Sequence, residues 1–273
     1  MMPFTLTVGE FVPDAGRPDG DSMRFRPDDP APLFQLPRRG RAPRINSRNG
    51  TIQLRFEGID TMESRSAAPF SSDATSSNLE LCGVPSGTGT ARGYILSTQI
   101  GPNGRPISFV YSGDAPEQDG DDSIFLDVDR MKESINFQQI SRGHAYPLFY
   151  DTLFFDLRVA MADEAVSARV NGSNVWFADA TNTGTSYLGR NSLETMPPIF
   201  PKLWRRLDSY SRDSDVANPN TLSEFMEYLN SLREERVFIV SEARSTGFDD
   251  VLQVNDDTIK MTTLPEDLII VSQ

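Results

Sequence analysis

Arg55-Phe-Glu-Gly-Ile-Asp60-Thr61-Met-Glu63 decides how this chain is read. Residues 52–59 have the apolar, β-branched texture of a strand, and two carboxylates, Asp60 and Glu63, follow where that strand gives way to a turn. An arginine and two carboxylates held at one strand end make either a salt-bridged turn or a site that handles a phosphate. On either side, residues 5–11, 23–25, 92–99 and 107–111 read as further strands separated by Gly, Pro and Asp clusters, the pattern of a small barrel. Gly101-Pro-Asn103-Gly104 signals a hairpin between the last two, since Asn-Gly readily takes the positive φ of a tight turn, and Arg105 follows it directly. Helices are expected at 72–82, capped by Ser72 or Asp73 and stopped by Gly83, at 128–142, and at 153–170.

Composition narrows the class. The chain has 273 residues, 38% of them hydrophobic, enough for a sizeable core with additional parts. A single cysteine, Cys82, excludes an internal disulfide and a cysteine zinc cluster, and one histidine, His144, excludes a His-rich zinc site. The N-terminus lacks a basic start and a long apolar run, so the chain is expected to be cytoplasmic, with no membrane partner. A net charge of −13 argues against coating nucleic acid by bulk electrostatics, so any such contact must be local. The charge is polarised: residues 31–56 carry Arg38, Arg39, Arg41, Arg44, Arg48 and Arg55 with no acid, whereas residues 114–133 carry eight acids. Pro37, Gly40 and Pro43 suit a solvated, flexible loop for the arginine run.

From Tyr187 the texture changes. A loop rich in Asn, Ser and Pro leads to expected helices at 202–210 and 222–236, then strands near 237–241, 251–254, 258–262 and 268–271. The organisation expected is α+β: a first domain over 1–183 and an accessory α/β module over 187–273. That module offers a route to a protein partner or to self-association.

Residues 5–180 resemble the staphylococcal nuclease-like (thermonuclease) family. Asp19-Gly-Asp21-Ser-Met-Arg-Phe25 is similar to the family's Asp-Gly-Asp-Thr strand start, and 55–63 to its Arg-x-x-x-x-Asp-Thr-Pro-Glu block. Asn103-Gly-Arg105 is similar to its Gly-Arg hairpin, Ser134-Ile-Asn136 through Ala145 to its Val-Asn helix end, and Asn174-Val-Trp176 to its closing Trp signature. The resemblance implies a five-stranded OB-fold barrel with three helices and a Ca²⁺-dependent, sugar-non-specific nuclease acting on single-stranded DNA or RNA to leave 3′-phosphate ends. It implies Asp21, Asp60 and the carbonyl of Thr61 as Ca²⁺ ligands, Glu63 as general base, and Arg55 and Arg105 as the phosphate's charge stabilisers. The residue chemistry suits those roles: hard cations take oxygen ligands, a carboxylate can orient water, and planar guanidinium forks match phosphate oxygens. A non-catalytic barrel that binds nucleic acid or a protein is the alternative.

Three departures bear on that reading. Met62 stands where the family has proline, which removes a restraint on Glu63. Asn103 stands where the family has an aromatic, and a second stacking aromatic matches only loosely to Phe149 or Tyr150. The segment between Asp21 and Arg55 is longer than usual and carries Arg38, Arg39, Arg41, Arg44 and Arg48, which are expected to supply phosphate contacts. Trp176 and Tyr146 are expected in the core.

Overall fold

A computed structural model describes residues 3–232 and 236–271. The first strands are β1 (Thr5–Phe11), β2 (Arg24–Pro27), β3 (Ile52–Gln53), β4 (Arg55–Phe56) and β5 (Ile59–Thr61), with helix α1 (Ala31–Gln35) after β2. Helix α2 (Phe70–Leu81) leads to β6 (Ala91–Ile100) and β7 (Pro106–Ser112). One six-stranded sheet runs β3-β2-β1-β6-β7-β4, antiparallel except for the parallel pair β4–β7. Because β3 and β4 are consecutive in the chain, this sheet nearly closes on itself. Leu54 N–H donates to the Met23 carbonyl and Phe56 N–H to that of Asp21, while Glu57 N–H donates across to Ser108. Asn136 stitches the closure: its side-chain amide donates to the Glu57 and Ser108 carbonyls at 2.9 and 3.0 Å and accepts from Val110 N–H.

The expected helix at 128–142 is two helices, α3 (Val128–Lys132) and α4 (Ile135–Ser141). Asp127 and Ser134 each accept a backbone N–H from the helix that follows, so Ser134 starts a second helix rather than continuing the first. Strands β8 (Ala145–Pro147) and β9 (Phe149–Tyr150) come next, β8 pairing with β5, and then α5 (Phe155–Val170). These short strands, like α1, are too brief for periodicity to signal.

Beyond them come β10 (Thr185–Ser186), α6 (Pro201–Tyr210), α7 (Phe225–Ser231), β11 (Arg236–Ile239), β12 (Arg244–Gly247), β13 (Leu252–Asn255), β14 (Thr258–Met261) and β15 (Leu268–Ile270). Helix α7 is shorter than the expected 222–236: Arg236 is in a strand, and residues 233–235 lie outside the described residues. The expected boundary near 183–187 does not divide the hydrophobic cores. One core fills the barrel; the second joins Met62, Tyr146, Leu148 and Trp176 to Phe200, Leu203, Trp204 and Ile270. Strand β15 also runs parallel to β9 in one sheet, so the C-terminal segment is built onto the barrel's flank. Among the described residues no helix is long and apolar enough to cross a membrane.

The arginine run is ordered alongside the β6–β7 turn. Ile100 N–H donates to the Pro37 carbonyl, Arg41 N–H to Pro102, and Arg44 N–H to Gly104. Glycine allows this approach: a Cβ on Gly104, whose φ is +76°, would meet the Ala42 carbonyl oxygen at 2.4 Å. In the turn itself Gly104 takes the positive φ and Asn103 does not.

Candidate functional site

Asp60 sits in β5 opposite Tyr146 of β8, and its side chain is 2% exposed. A buried carboxylate needs strong partners, and here they come from α6. Arg205 places its two terminal nitrogens on the two Asp60 oxygens at 2.9 and 2.6 Å, and the first of them also reaches Glu63 Oε1 at 2.9 Å. One guanidinium thus binds both the expected metal ligand and the expected base. Burial works against the Arg205 charge, but Asp60 and Glu63 outweigh it and hold the guanidinium firmly protonated.

Helix α6 explains why Arg205 points there. Pro201 opens the helix, and Leu203, Trp204, Leu207 and Tyr210 are buried in the second core. The Trp204 indole N–H donates to the Leu193 carbonyl at 3.0 Å. Met62 is buried in that same core, between Asp60 and Glu63 in sequence. Its apolar side chain therefore shares a core with the buried face of α6. After Glu63 the chain turns, with Ser66 donating its N–H and hydroxyl to the Glu63 carbonyl.

The other expected residues gather at the same end of the barrel. Gly20 lets the Asp19–Asp21 turn press onto β5 and α2, since a Cβ there would meet Thr61 and Ala74 side-chain atoms at 2.7 Å. Asn78 of α2 donates to the Asp19 carbonyl at 2.6 Å, and Gln139 of α4 donates to the carbonyls of Gly20 and Ala74. Asp21 is buried, and one of its oxygens lies 3.9 Å from Arg55. Burial first, and the nearby Asp19 second, raise the Asp21 carboxyl well above the usual carboxylate range despite Arg55. For Arg55 burial opposes the charge, yet Asp21 and Asp60 prevail and raise it. Arg105, half-buried, is lowered by burial and by the Arg55 charge. The Thr61 side chain faces the Gly20 turn.

Arg55, Asp21, Asp60, Glu63 and Arg105 are thus brought within one electrostatic neighbourhood. In this arrangement the acidic side chains are met by a cation of the protein's own. Both Asp60 oxygens, and one of Glu63, are engaged by the guanidinium of Arg205, whose helix is packed into the second core. Among the described residues no three of His, Cys, Asp and Glu gather as a metal cluster. Arg205 had no signal of its own in the sequence, because nothing local tells which carboxylate an Arg-Arg pair on an amphipathic helix will meet.

Of the aromatics, Phe149 is fully buried in the barrel core and cannot stack on a base, while Tyr150 is half-buried close enough to Arg55 to influence its charge. Tyr146 and Trp176 are core residues as expected, with ring centroids 4.6 Å apart and the Tyr146 hydroxyl donating to Asp179. Arg38, Arg39, Arg41, Arg44 and Arg48 are exposed and form no ion pair among the described residues. Compared with known proteins, the chain matches no family model and no curated sequence.

Proposed function

We propose that this chain is a staphylococcal nuclease-like OB-fold barrel that binds the phosphate backbone of single-stranded nucleic acid and, as folded, does not hydrolyse it. The observation that carries the reading is the Arg205 fork on Asp60 and Glu63. A cation already satisfies the carboxylates that would otherwise hold a metal and activate water. Strand order supports the barrel assignment. With β3 and β4 taken as one strand, five strands close as first, second, third, fifth, fourth, first, and the third runs parallel to the fifth. The arginine run laid along the Arg105 turn supports backbone binding, because unpaired guanidinium groups along one ribbon suit successive phosphates.

The 273-residue chain is incubated with denatured DNA in Ca²⁺ and in EDTA, beside Glu63→Gln. The reading expects equal binding in both and no cleavage. Ca²⁺-dependent cleavage that Glu63→Gln abolishes overturns it. A second reading, a latent Ca²⁺-dependent nuclease, is favoured by the convergence of Asp21, Arg55 and Asp60. On that reading an Arg205→Ser variant gains metal-dependent cleavage that the parent lacks.

A further inference from the structure

A cleft of about 480 Å³ opens beside the β6–β7 turn, sharing Arg105 with the site described above and lined also by Arg24, Arg44, Asn46, Gln53 and Asn103. That size lies within the range of about 300–1,000 Å³ common for small-ligand sites. Its wall holds three guanidinium groups and no carboxylate, and none of the three forms an ion pair among the described residues. In a chain of net charge −13 this is a local reversal of sign. Salt screens the distant acids beyond a Debye length of about 8 Å, so an anion in the cleft responds mainly to its own walls.

Arg24 is the telling member. It lies on β2 in register with Gln53 of β3, its stem packs beneath Gly16, and its Nε is buried without a hydrogen-bond partner. A buried donor left unsatisfied costs about 1–3 kcal/mol. Because Nε lies against Gly16, an anion in the cleft would meet the terminal nitrogens of the fork, by charge-assisted hydrogen bonds. Arg44 comes from the arginine run, held in place by its N–H to the Gly104 carbonyl, and Arg105 closes the third side.

We infer that this cleft binds a phosphomonoester dianion, through Arg24, Arg44 and Arg105. Three cations that form no ion pair among the described residues favour a doubly charged group over the single charge of an internal phosphodiester. The planar forks and the neutral amides of Asn46, Gln53 and Asn103 can together satisfy its three terminal oxygens. The group belongs either to the end of a nucleic-acid strand or to a small phosphorylated molecule. The first source rests on the nucleic-acid reading above; the second does not.

Fluorescence anisotropy on the full chain compares oligothymidylates bearing a 5′-phosphate, a 3′-phosphate or neither, and calorimetry follows inorganic phosphate and thymidine 5′-monophosphate. A terminal phosphate is expected to tighten binding about tenfold, and inorganic phosphate to compete. Arg44→Gln, in an exposed loop, and Arg24→Gln, checked for an unchanged unfolding curve, should each remove that preference. Arg244→Ser, on β12 and outside both the cleft and the arginine run, should keep it. The preference should also strengthen from pH 5 to pH 7.5, as the second phosphate proton leaves near pH 6. Binding of phosphate or the mononucleotide, lost in Arg44→Gln, without any oligonucleotide binding would uphold the cleft and reject the nucleic-acid reading. Oligonucleotide binding that ignores terminal phosphate, with no binding of inorganic phosphate, overturns the cleft assignment and leaves that reading standing.

Discussion

At the scale of single residues, the charges of Arg55, Asp21, Asp60 and Arg205 act on one another. Arg205→Ala would leave Asp60 buried beside no bidentate partner, and breaking a buried pair from one side costs about 3–5 kcal/mol. The lower end is expected, because the Arg205 side chain is 36% exposed while that of Asp60 is 2% exposed; urea unfolding of the two forms measures the difference. Glu57 offers a pH test. Burial pushes its carboxyl up to about 7 from an ordinary value of 4.5, against the pull of Arg55. Between those values the folded state holds the proton more tightly than the unfolded chain does. The stabilisation is therefore complete below pH 4.5 and lost as the pH rises through about 7, a change on the order of 3 kcal/mol. Glu57→Gln should flatten that slope, and an unchanged pH profile of urea midpoints would contradict it. Asp21, Arg55, Asp60, Glu63 and Arg105 were singled out in the sequence by the joint resemblance of their blocks, in order along the chain, to one family; each block alone is a common turn or strand end. Arg205 was not, since its partner Asp60 lies 145 residues away along the chain and no local pattern encodes that meeting.

Among elements, the arginine run and the β6–β7 turn act as one unit. Its order was not legible from Pro37, Gly40 and Pro43, which suggest a loose loop. Three backbone hydrogen bonds and the close approach at Gly104 hold it instead. Replacing Arg38, Arg39 and Arg41 with Ser should reduce the salt dependence of single-strand binding, lowering the log–log slope by about 2. Anisotropy across a salt series reads this directly, and an unaltered slope would remove the run from the interface. Gly104→Ala meets both a positive φ and the Ala42 carbonyl, so it should loosen the ribbon and weaken the same binding without changing the Asp60–Arg205 pair. The helix expected at 128–142 was legible in composition, yet Ser134 divides it by capping a new start, an outcome that apolar spacing alone does not distinguish from a continuous helix.

For the molecule as a whole, the two-core arrangement makes the barrel and the C-terminal segment interdependent. The barrel was readable from strand spacing and turn residues, whereas the second core was not, because it assembles Met62, Tyr146 and Trp176 with residues beyond 187 through contacts distant in sequence. A chain ending at residue 183 should expose that apolar surface and lose cooperative unfolding. The same packing holds α6, and through it Arg205, against the barrel's acidic end. The most direct test is a calorimetric titration of the full chain with Ca²⁺, run beside Arg205→Ser. The account expects no Ca²⁺ binding by the parent chain, because a guanidinium already satisfies Asp60 and Glu63, and binding that emerges once Arg205 is removed. Ca²⁺ binding by the parent that Arg205→Ser leaves unchanged would contradict it.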